Sequence, residues 1–267
     1  MMDAAYMADP ALWLEDLGLI TDQDGNPVQL DTAQVEVLRS PHRRIIVNCH
    51  RQWGKSTLAS AMAFHQAVFY PRSLVLLIAP SLRQSGEDFK KVQDCLDAVT
   101  PRPILQEETK LTIKFDNGSR IVALPGGNEG KTIRGYSAPD VVIIDEAAQC
   151  TDSLFYAVLP MMTRSPNGRM ILASTPLAAS GFFHHLWTEG GPEWHKIMVT
   201  AAMNPRLDQD VLAEIRRAMP SWEYQREYEG KFMSSQNSLF SNETITKMFD
   251  CNIKPLWTDG ATFKGVV

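Results

Sequence analysis

Residues Ile45 to Thr57 read I-I-V-N-C-H-R-Q-W-G-K-S-T. The β-branched run Ile45-Ile46-Val47 breaks into a polar loop that ends in Gly54-Lys55-Ser56. Leu58-Ala59-Ser60-Ala61-Met62-Ala63 follows, with helix formers and apolar residues on more than one face. Strand, loop, Gly-Lys-Ser and helix in that order form the setting of a phosphate-binding loop. Backbone N–H groups of the loop and the helix N-terminus point at phosphates there. The Lys55 ammonium reaches the β- and γ-phosphates, and the Ser56 hydroxyl coordinates Mg²⁺. The general pattern G-x-x-x-x-G-K-[ST] wants a glycine where Cys49 stands, and that glycine relieves a tight turn. A chance Gly-Lys-Ser at a helix start is the competing reading.

Val141-Val142-Ile143-Ile144-Asp145-Glu146 is the second anchor. An apolar β-forming run ends in two carboxylates, the Walker B pattern, and acids at the C-terminal edge of a parallel strand sit where such sheets bind ligands. Asp145 would hold Mg²⁺ directly or through water, and Glu146 would orient and deprotonate the attacking water. A third buried strand, Arg169 to Ala173, ends in Ser174-Thr175-Pro176. Those hydroxyls read either as a hydrogen-bonding link to the γ-phosphate or the catalytic acid, or as a plain strand-ending turn.

Around these anchors the chain falls into order. Residues 1–20 read as one short amphipathic helix, and 22–27 as a turn. Asp31 to Arg39 is a helix with Asp31 or Thr32 as its cap. It carries Gln34, whose amide suits the adenine edge or simply a solvated helix face. Ser73 to Pro80 is a buried strand and Gln84 to Val99 a helix. Leu111 to Phe115 and Arg120 to Leu124 flank the turn Asp116-Asn117-Gly118-Ser119. Gly126 to Thr132 contains a second Gly-Lys-Thr, but Pro125 occupies its first-Gly position, and Gly135 and Pro139 leave no room for a following helix. It reads as a Gly-rich loop carrying Lys131 and Arg134. Asp152 to Thr163 is helical, Trp194 to Thr200 a strand, and Asp208 to Met219 and Ser221 to Glu229 a helical pair. The domain reading is an ATPase core over 1–203 with its N-terminal extension, a lid over 204–235, and a linker over 236–267.

Bulk composition narrows the class. The chain has 267 residues, 44% hydrophobic and 21% charged, as ordinary globular proteins do. A net charge of −5 gives no general attraction to nucleic acid, so any DNA contact is local; Arg43, Arg44, Arg164 and Arg169 are candidates. Cys49, Cys95, Cys150 and Cys251 are scattered without a C-x-x-C pair, which argues against a disulfide framework or a zinc site. With no leader or membrane-length apolar run, the expectation is a soluble intracellular protein.

With the phosphate loop, Asp145-Glu146 and Ser174-Thr175-Pro176 in this order, the chain resembles the ATPase half of the large terminase subunit of tailed bacteriophages. The resemblance covers most of residues 30–240. Its most specific part is Arg51-Gln52-x-Gly54-Lys55-Ser56, an Arg-Gln loop that in that family often lacks the first glycine. It implies an α/β P-loop NTPase of the ASCE (RecA-like) type: a mostly parallel sheet, helices on both faces and a small helical lid. It further implies that Gln34, Arg51, Gln52, Trp53, Gly54, Lys55, Ser56, Thr57 and Asp145 bind ATP and Mg²⁺. Ser56 and Asp145 hold the metal and Ser174 and Thr175 couple the cycle to movement. Glu146 and Lys55 are catalytic, with Arg134 as an arginine reaching a neighbouring subunit and Arg51 as its rival acting in cis. The implied partners are double-stranded DNA, the portal protein of the procapsid, the small terminase subunit and further copies in a ring, expected to be a pentamer. The implied location is the host cell cytoplasm. Family members continue into a nuclease domain, and no nuclease activity is expected of residues 1–267. Two other functions remain to be weighed: a helicase-like nucleic-acid-remodelling ATPase, and a nucleotide-dependent assembly module.

Overall fold

The computed structural model describes residues 4–21, 25–127 and 133–233. The N-terminal segment is two helices, not one: α1 (Ala4–Ala8) and α2 (Pro10–Leu17) are separated by Asp9, whose side chain accepts from the Ala11 and Leu12 N–H groups. Proline is tolerated at a helix start because an N–H there has no intrahelical partner, so Pro10 restarts the helix where it would have broken one. α3 (Thr32–Arg39) opens on a capping box, in which Asp31 accepts from the Gln34 N–H and the Gln34 side chain accepts from that of Asp31.

The chain then alternates strand and helix: β1 (Arg44–Cys49), α4 (Lys55–Phe69), β2 (Leu74–Ala79) and α5 (Leu82–Ala98). A short edge strand that the sequence does not suggest, β3 (Leu105–Glu108), precedes β4 (Thr112–Phe115) and β5 (Arg120–Pro125). After β6 (Val141–Asp145) come α6 (Asp152–Met162), β7 (Arg169–Ser174), α7 (Gly181–Glu189) and β8 (Trp194–Val199). α8 (Gln209–Ala218) and α9 (Ser221–Glu229) close the described chain. α7 is likewise absent from the sequence reading. Its sequence, G-F-F-H-H-L-W-T-E, does place Phe182, Phe183, Leu186 and Trp187 on one helical face, a signal only nine residues long.

Among the described residues the strands form one sheet, in the order β3-β4-β5-β2-β6-β7-β1-β8. From β5 to β8 every neighbouring pair is parallel, and β3 and β4 add an antiparallel edge. Strand residues alternate between two cores. Ile45, Val47, Val75, Leu77, Ile143 and Ile171 pack with α2 to α5 on one face. Ile46, Leu76, Ile78, Ile144 and Leu172 pack with α6 and α7 on the other. Both faces are therefore covered, which is why these strands read as unbroken apolar runs. On the first face Phe64 of α4 is fully buried and stacks on Trp13 of α2, ring centroids 5.9 Å apart. No helix among the described residues is long and apolar enough to cross a membrane.

Residues 1–233 make one compact unit. Within it α8 packs on α9, with the Arg216 guanidinium 5.2 Å from the centre of the Tyr224 ring. The expected linker over 236–267 lies outside the described residues, as does most of the Gly-rich loop from Gly126 to Thr132. Where that loop re-enters, Ile133 to Gly135 form a turn and no helix follows.

Candidate functional site

β6, β7 and β1 are adjacent and parallel, so their C-terminal ends bring Asp145, Ser174 and the loop after Cys49 to one edge. Register is close: Asp145 pairs with Ala173, and Ser174 with Asn48. Sequence-distant anchors thus meet because a parallel sheet aligns its strand ends.

The loop explains how Cys49 replaces the expected glycine. Left-handed backbone falls instead on Gln52 (φ 62°) and Gly54 (φ 94°), so Cys49 adopts no conformation that needs glycine. Its side chain is buried, with Sγ 3.7 Å from the Ser174 carbonyl oxygen, and burial pushes the thiol up to about 12. It is a packing residue, not a nucleophile. Lys55 begins α4 with no side-chain cap, leaving the first-turn N–H groups of a long helix free to meet anionic oxygens.

Lys55 Nζ lies 2.8 Å from Glu146 Oε1. Burial by itself pulls the ammonium pKa down, but the Glu146 and Asp145 charges outweigh it and hold it above the usual lysine value. Glu146 sits in left-handed backbone (φ 50°), a costly conformation for a residue with a Cβ, and its N–H donates to Asp145 Oδ1 at 2.9 Å. A short 3-10 turn, Ala147–Gln149, follows, and Gln149 Nε2 donates to Glu146 Oε2 at 3.3 Å. Ser174 is fully buried. Its Oγ accepts from the Ala148 N–H at 3.1 Å, tying β7 to the turn behind the acid, and donates to the Thr175 carbonyl at 2.7 Å.

The remaining residues expected at the site are distributed as follows. Trp53 is buried, its Nε1 donating to Asp31 Oδ2 at 2.8 Å. Gln34 is fully buried directly beneath the loop. Its Nε2 donates to the Trp53 carbonyl at 3.1 Å, and its Oε1 accepts from Asp31 N and from Arg206 Nη2 at 3.0 Å. Its amide therefore braces the loop in this arrangement. Arg51 is largely exposed, with Nη1 3.6 Å from Glu227 Oε2. Gln52 is exposed, and Ser56 and Thr57 are half-buried on the first turn of α4. Arg134 is exposed on the turn before β6 and pairs with no acid among the described residues. Asp140, the next acid after it in sequence, accepts instead from the Leu74 N–H at 2.8 Å.

Several groups of the site have no counterpart in the sequence reading. Asp31 is a three-way hub, receiving Gln34 N, Trp53 Nε1 and, at 2.7 Å, Arg206 Nη2. Asn48 Nδ2 donates to the Gly230 carbonyl at 2.7 Å and the Arg51 N–H to the Glu227 carbonyl at 3.0 Å, so the end of α9 is bonded to the phosphate loop. His50 Nδ1 donates to its neighbour's carbonyl at 2.6 Å and Nε2 accepts from Asn204 at 3.2 Å, while burial lowers its basicity. Asp88 of α5 is buried against Asp145, with Oδ2 lacking a hydrogen-bond partner. Burial first, then the Asp145 charge, pushes its carboxyl up to about 8. The only sequence signal for any of these is Asp31 as a helix cap; the others depend on contacts between remote segments.

The Ser56 hydroxyl and Asp145 carboxylate are hard oxygen donors of the kind Mg²⁺ prefers, and the two adjacent buried carboxyls favour a cation at this edge. A parallel sheet covered on both faces, with a Gly-Lys-Ser loop opening a helix beside an Asp-Glu strand end, defines a phosphate-loop NTPase. The model for the N-terminal part of the terminase large subunit, T4-like virus type, matches residues 49–247, and the chain belongs to that family. It is 24% identical over 229 residues to the terminase large subunit of Escherichia phage T5, covering 84% of this chain and 52% of that protein. The fold is similar to that of the large terminase ATPase domain of Thermus phage P74-26, with a TM-score of 0.69 and 21% identity over 84% of this chain and 99% of that one. It is also similar to the large terminase of another thermophilic bacteriophage in complex with ADP, with a TM-score of 0.63 and 15% identity over 76% and 54%. The chain spans about half the length of the curated relatives it matches.

Proposed function

We propose that this chain is the ATPase motor of a large terminase, hydrolysing ATP with Mg²⁺ and using the cycle to drive double-stranded DNA into a procapsid. The observation that carries the reading is the meeting of Lys55, Glu146 and Ser174 at one sheet edge within the terminase family. The free N-terminal turn of α4 and Lys55 would hold the β- and γ-phosphates. Ser56 and Asp145 would hold Mg²⁺, which supplies neutralisation of phosphate charge. Glu146, oriented by Gln149 and its own left-handed backbone, would take the proton of the attacking water.

Ser174 would carry the change at Glu146 into β7, since its hydroxyl already holds the turn behind that acid. Arg134, exposed and unpaired among the described residues, is the proposed arginine for a neighbouring subunit's site. Arg51 is tethered to α9 through Glu227, which suits a residue reporting lid position. Gln34 would read adenine only if its amide exchanged a present partner for the base. A ring of copies, expected to be pentameric, the portal and the small terminase subunit are the proposed partners, in the host cell cytoplasm. Steady-state ATP hydrolysis, alone and with duplex DNA and portal-bearing procapsids, tests the reading. Stimulation by both, with DNA packaged, is the expected result. Stimulation by DNA alone would favour a helicase-like remodeller, and binding without turnover an assembly module.

A further inference from the structure

Asn48, near the end of β1, is fully buried, and its neighbours in register are Ser174 of β7 and Met198 of β8. Parallel strands present in-register side chains on one face, with the strands about 4.8 Å apart. Asn48 Nδ2 donates to the Gly230 carbonyl at 2.7 Å, but Oδ1 is buried and has no hydrogen-bond partner. Gly230 ends α9 in left-handed backbone (φ 71°). A Cβ there would come within 2.9 Å of Met198 Cε and 3.5 Å of Asn48 Nδ2, so glycine lets the end of α9 lie directly on β1 and β8.

A buried amide oxygen without a donor is costly, since such groups are nearly always satisfied. Of the two side chains flanking Asn48 in register, methionine has no hydrogen to donate and serine has one. The Ser174 hydroxyl accepts from the Ala148 N–H and gives its own hydrogen to the Thr175 carbonyl, 2.7 Å away. A hydroxyl turns about its C–O bond and carries a single hydrogen, so the Thr175 carbonyl and Asn48 Oδ1 are alternative acceptors for it. One group with two discrete settings is what coupling between sites requires. The groups line up across three adjacent strands: the turn behind Glu146 after β6, Ser174 on β7, Asn48 on β1 and then Gly230 at the end of α9.

We propose that Asn48 is a positioning residue through which the state of Glu146 reaches α9, its Oδ1 taking the Ser174 hydrogen in one nucleotide state and releasing it in the other. This rests on the ATPase reading above and carries it beyond β7. Hydrogen–deuterium exchange of residues 221–229 in the full chain, with and without a non-hydrolysable ATP analogue, reads the route and needs only nucleotide binding. Steady-state turnover is measured beside it. In the wild-type chain the analogue should change exchange of these amides. Asn48→Ala should abolish that change and lower kcat about tenfold, the worth of one hydrogen bond, while nucleotide affinity stays. Ser174→Ala should do the same, and the double variant should be no slower than the slower single one, because both act on one route. An α9 response missing from the wild-type chain or surviving Asn48→Ala, or kcat losses that add in the double variant, would overturn the route. If Asn48→Ala does not fold, an α9 response that survives Ser174→Ala overturns it equally. A wild-type chain that binds the analogue without hydrolysing ATP would instead overturn the ATPase reading, and the exchange result would still judge the route.

Discussion

Lys55 Nζ and Glu146 Oε1 form a 2.8 Å ion pair that joins the first turn of α4 to the acid following β6. Their side chains are 10% and 21% exposed, so the pair is only weakly screened by water. A nucleotide's γ-phosphate would compete with Glu146 for the same ammonium. Binding and hydrolysis thus draw on one pair of residues in different ways, and mutation separates them.

Glu146→Gln should lower ATP turnover by about 10²–10⁴, the usual worth of a general base, while ATP affinity holds or tightens as the competing charge is removed. Lys55→Ala should lose both turnover and affinity. Single-turnover hydrolysis and nucleotide binding, measured separately, check both. Wild-type turnover in either variant would mean the site has been misplaced.

Ser174→Ala deletes the oxygen that accepts from the Ala148 N–H. The loss of about 1 kcal/mol should lower Tm by about 2–4 °C. More tellingly, kcat should fall while ATP affinity stays, because the turn behind Glu146 loses its hold on β7. An unchanged kcat beside a lowered Tm would leave the hydroxyl with a folding role alone.

Asp31 holds a helix N-terminus, the indole of the phosphate loop and Arg206. Asp31→Ala removes a cap, leaves the Trp53 indole N–H without its acceptor and takes the carboxylate from Arg206, at a cost of about 3 kcal/mol. Urea denaturation followed by tryptophan fluorescence reads the loss. A change below about 0.5 kcal/mol, the scale of an ordinary surface substitution, would refute the hub.

Asp88 links stability to pH. Its native pKa is raised from 3.8 to about 8, so the folded chain keeps a proton that the unfolded chain releases. This contribution is fully present below about 3.8 and is lost as pH rises through about 8. Asp88→Asn should flatten the decline of Tm over that interval and be relatively more stable at its upper end. A Tm profile with the wild-type slope would show that Asp88 is not the group responsible.

Arg134 is exposed and unpaired among the described residues, as a residue serving a neighbouring subunit would be. An arginine supplied in trans is worth about 10³–10⁵ in kcat. Arg134→Ala and Glu146→Gln chains should each be inactive alone and recover activity when mixed, since some interfaces then pair an intact acid with an intact arginine. A mixture that stays inactive, where wild-type chains assemble and turn over, excludes the role and leaves Arg51.

How much of this was legible in the sequence follows from the range of the forces involved. The apolar runs of β1, β2, β6 and β7, the Gly54-Lys55-Ser56 loop and the Asp145-Glu146 strand end are local patterns. Strand composition, turn chemistry and helix starts act over a few residues, so sequence determined the fold class, the phosphate loop and the acids. The split at Asp9 shows the limit of even local reading, because Pro10 both breaks and begins a helix. Only the tertiary structure decided that left-handed backbone falls on Gln52 and Gly54, sparing Cys49 the need to be glycine. It also decided that Gln34 is enclosed by Trp53, Asp31 and Arg206, and that Asp88 lies against Asp145. Each of these depends on which side chains meet after distant segments pack, and burial, charge pairing and hydrogen-bond satisfaction are properties of that meeting.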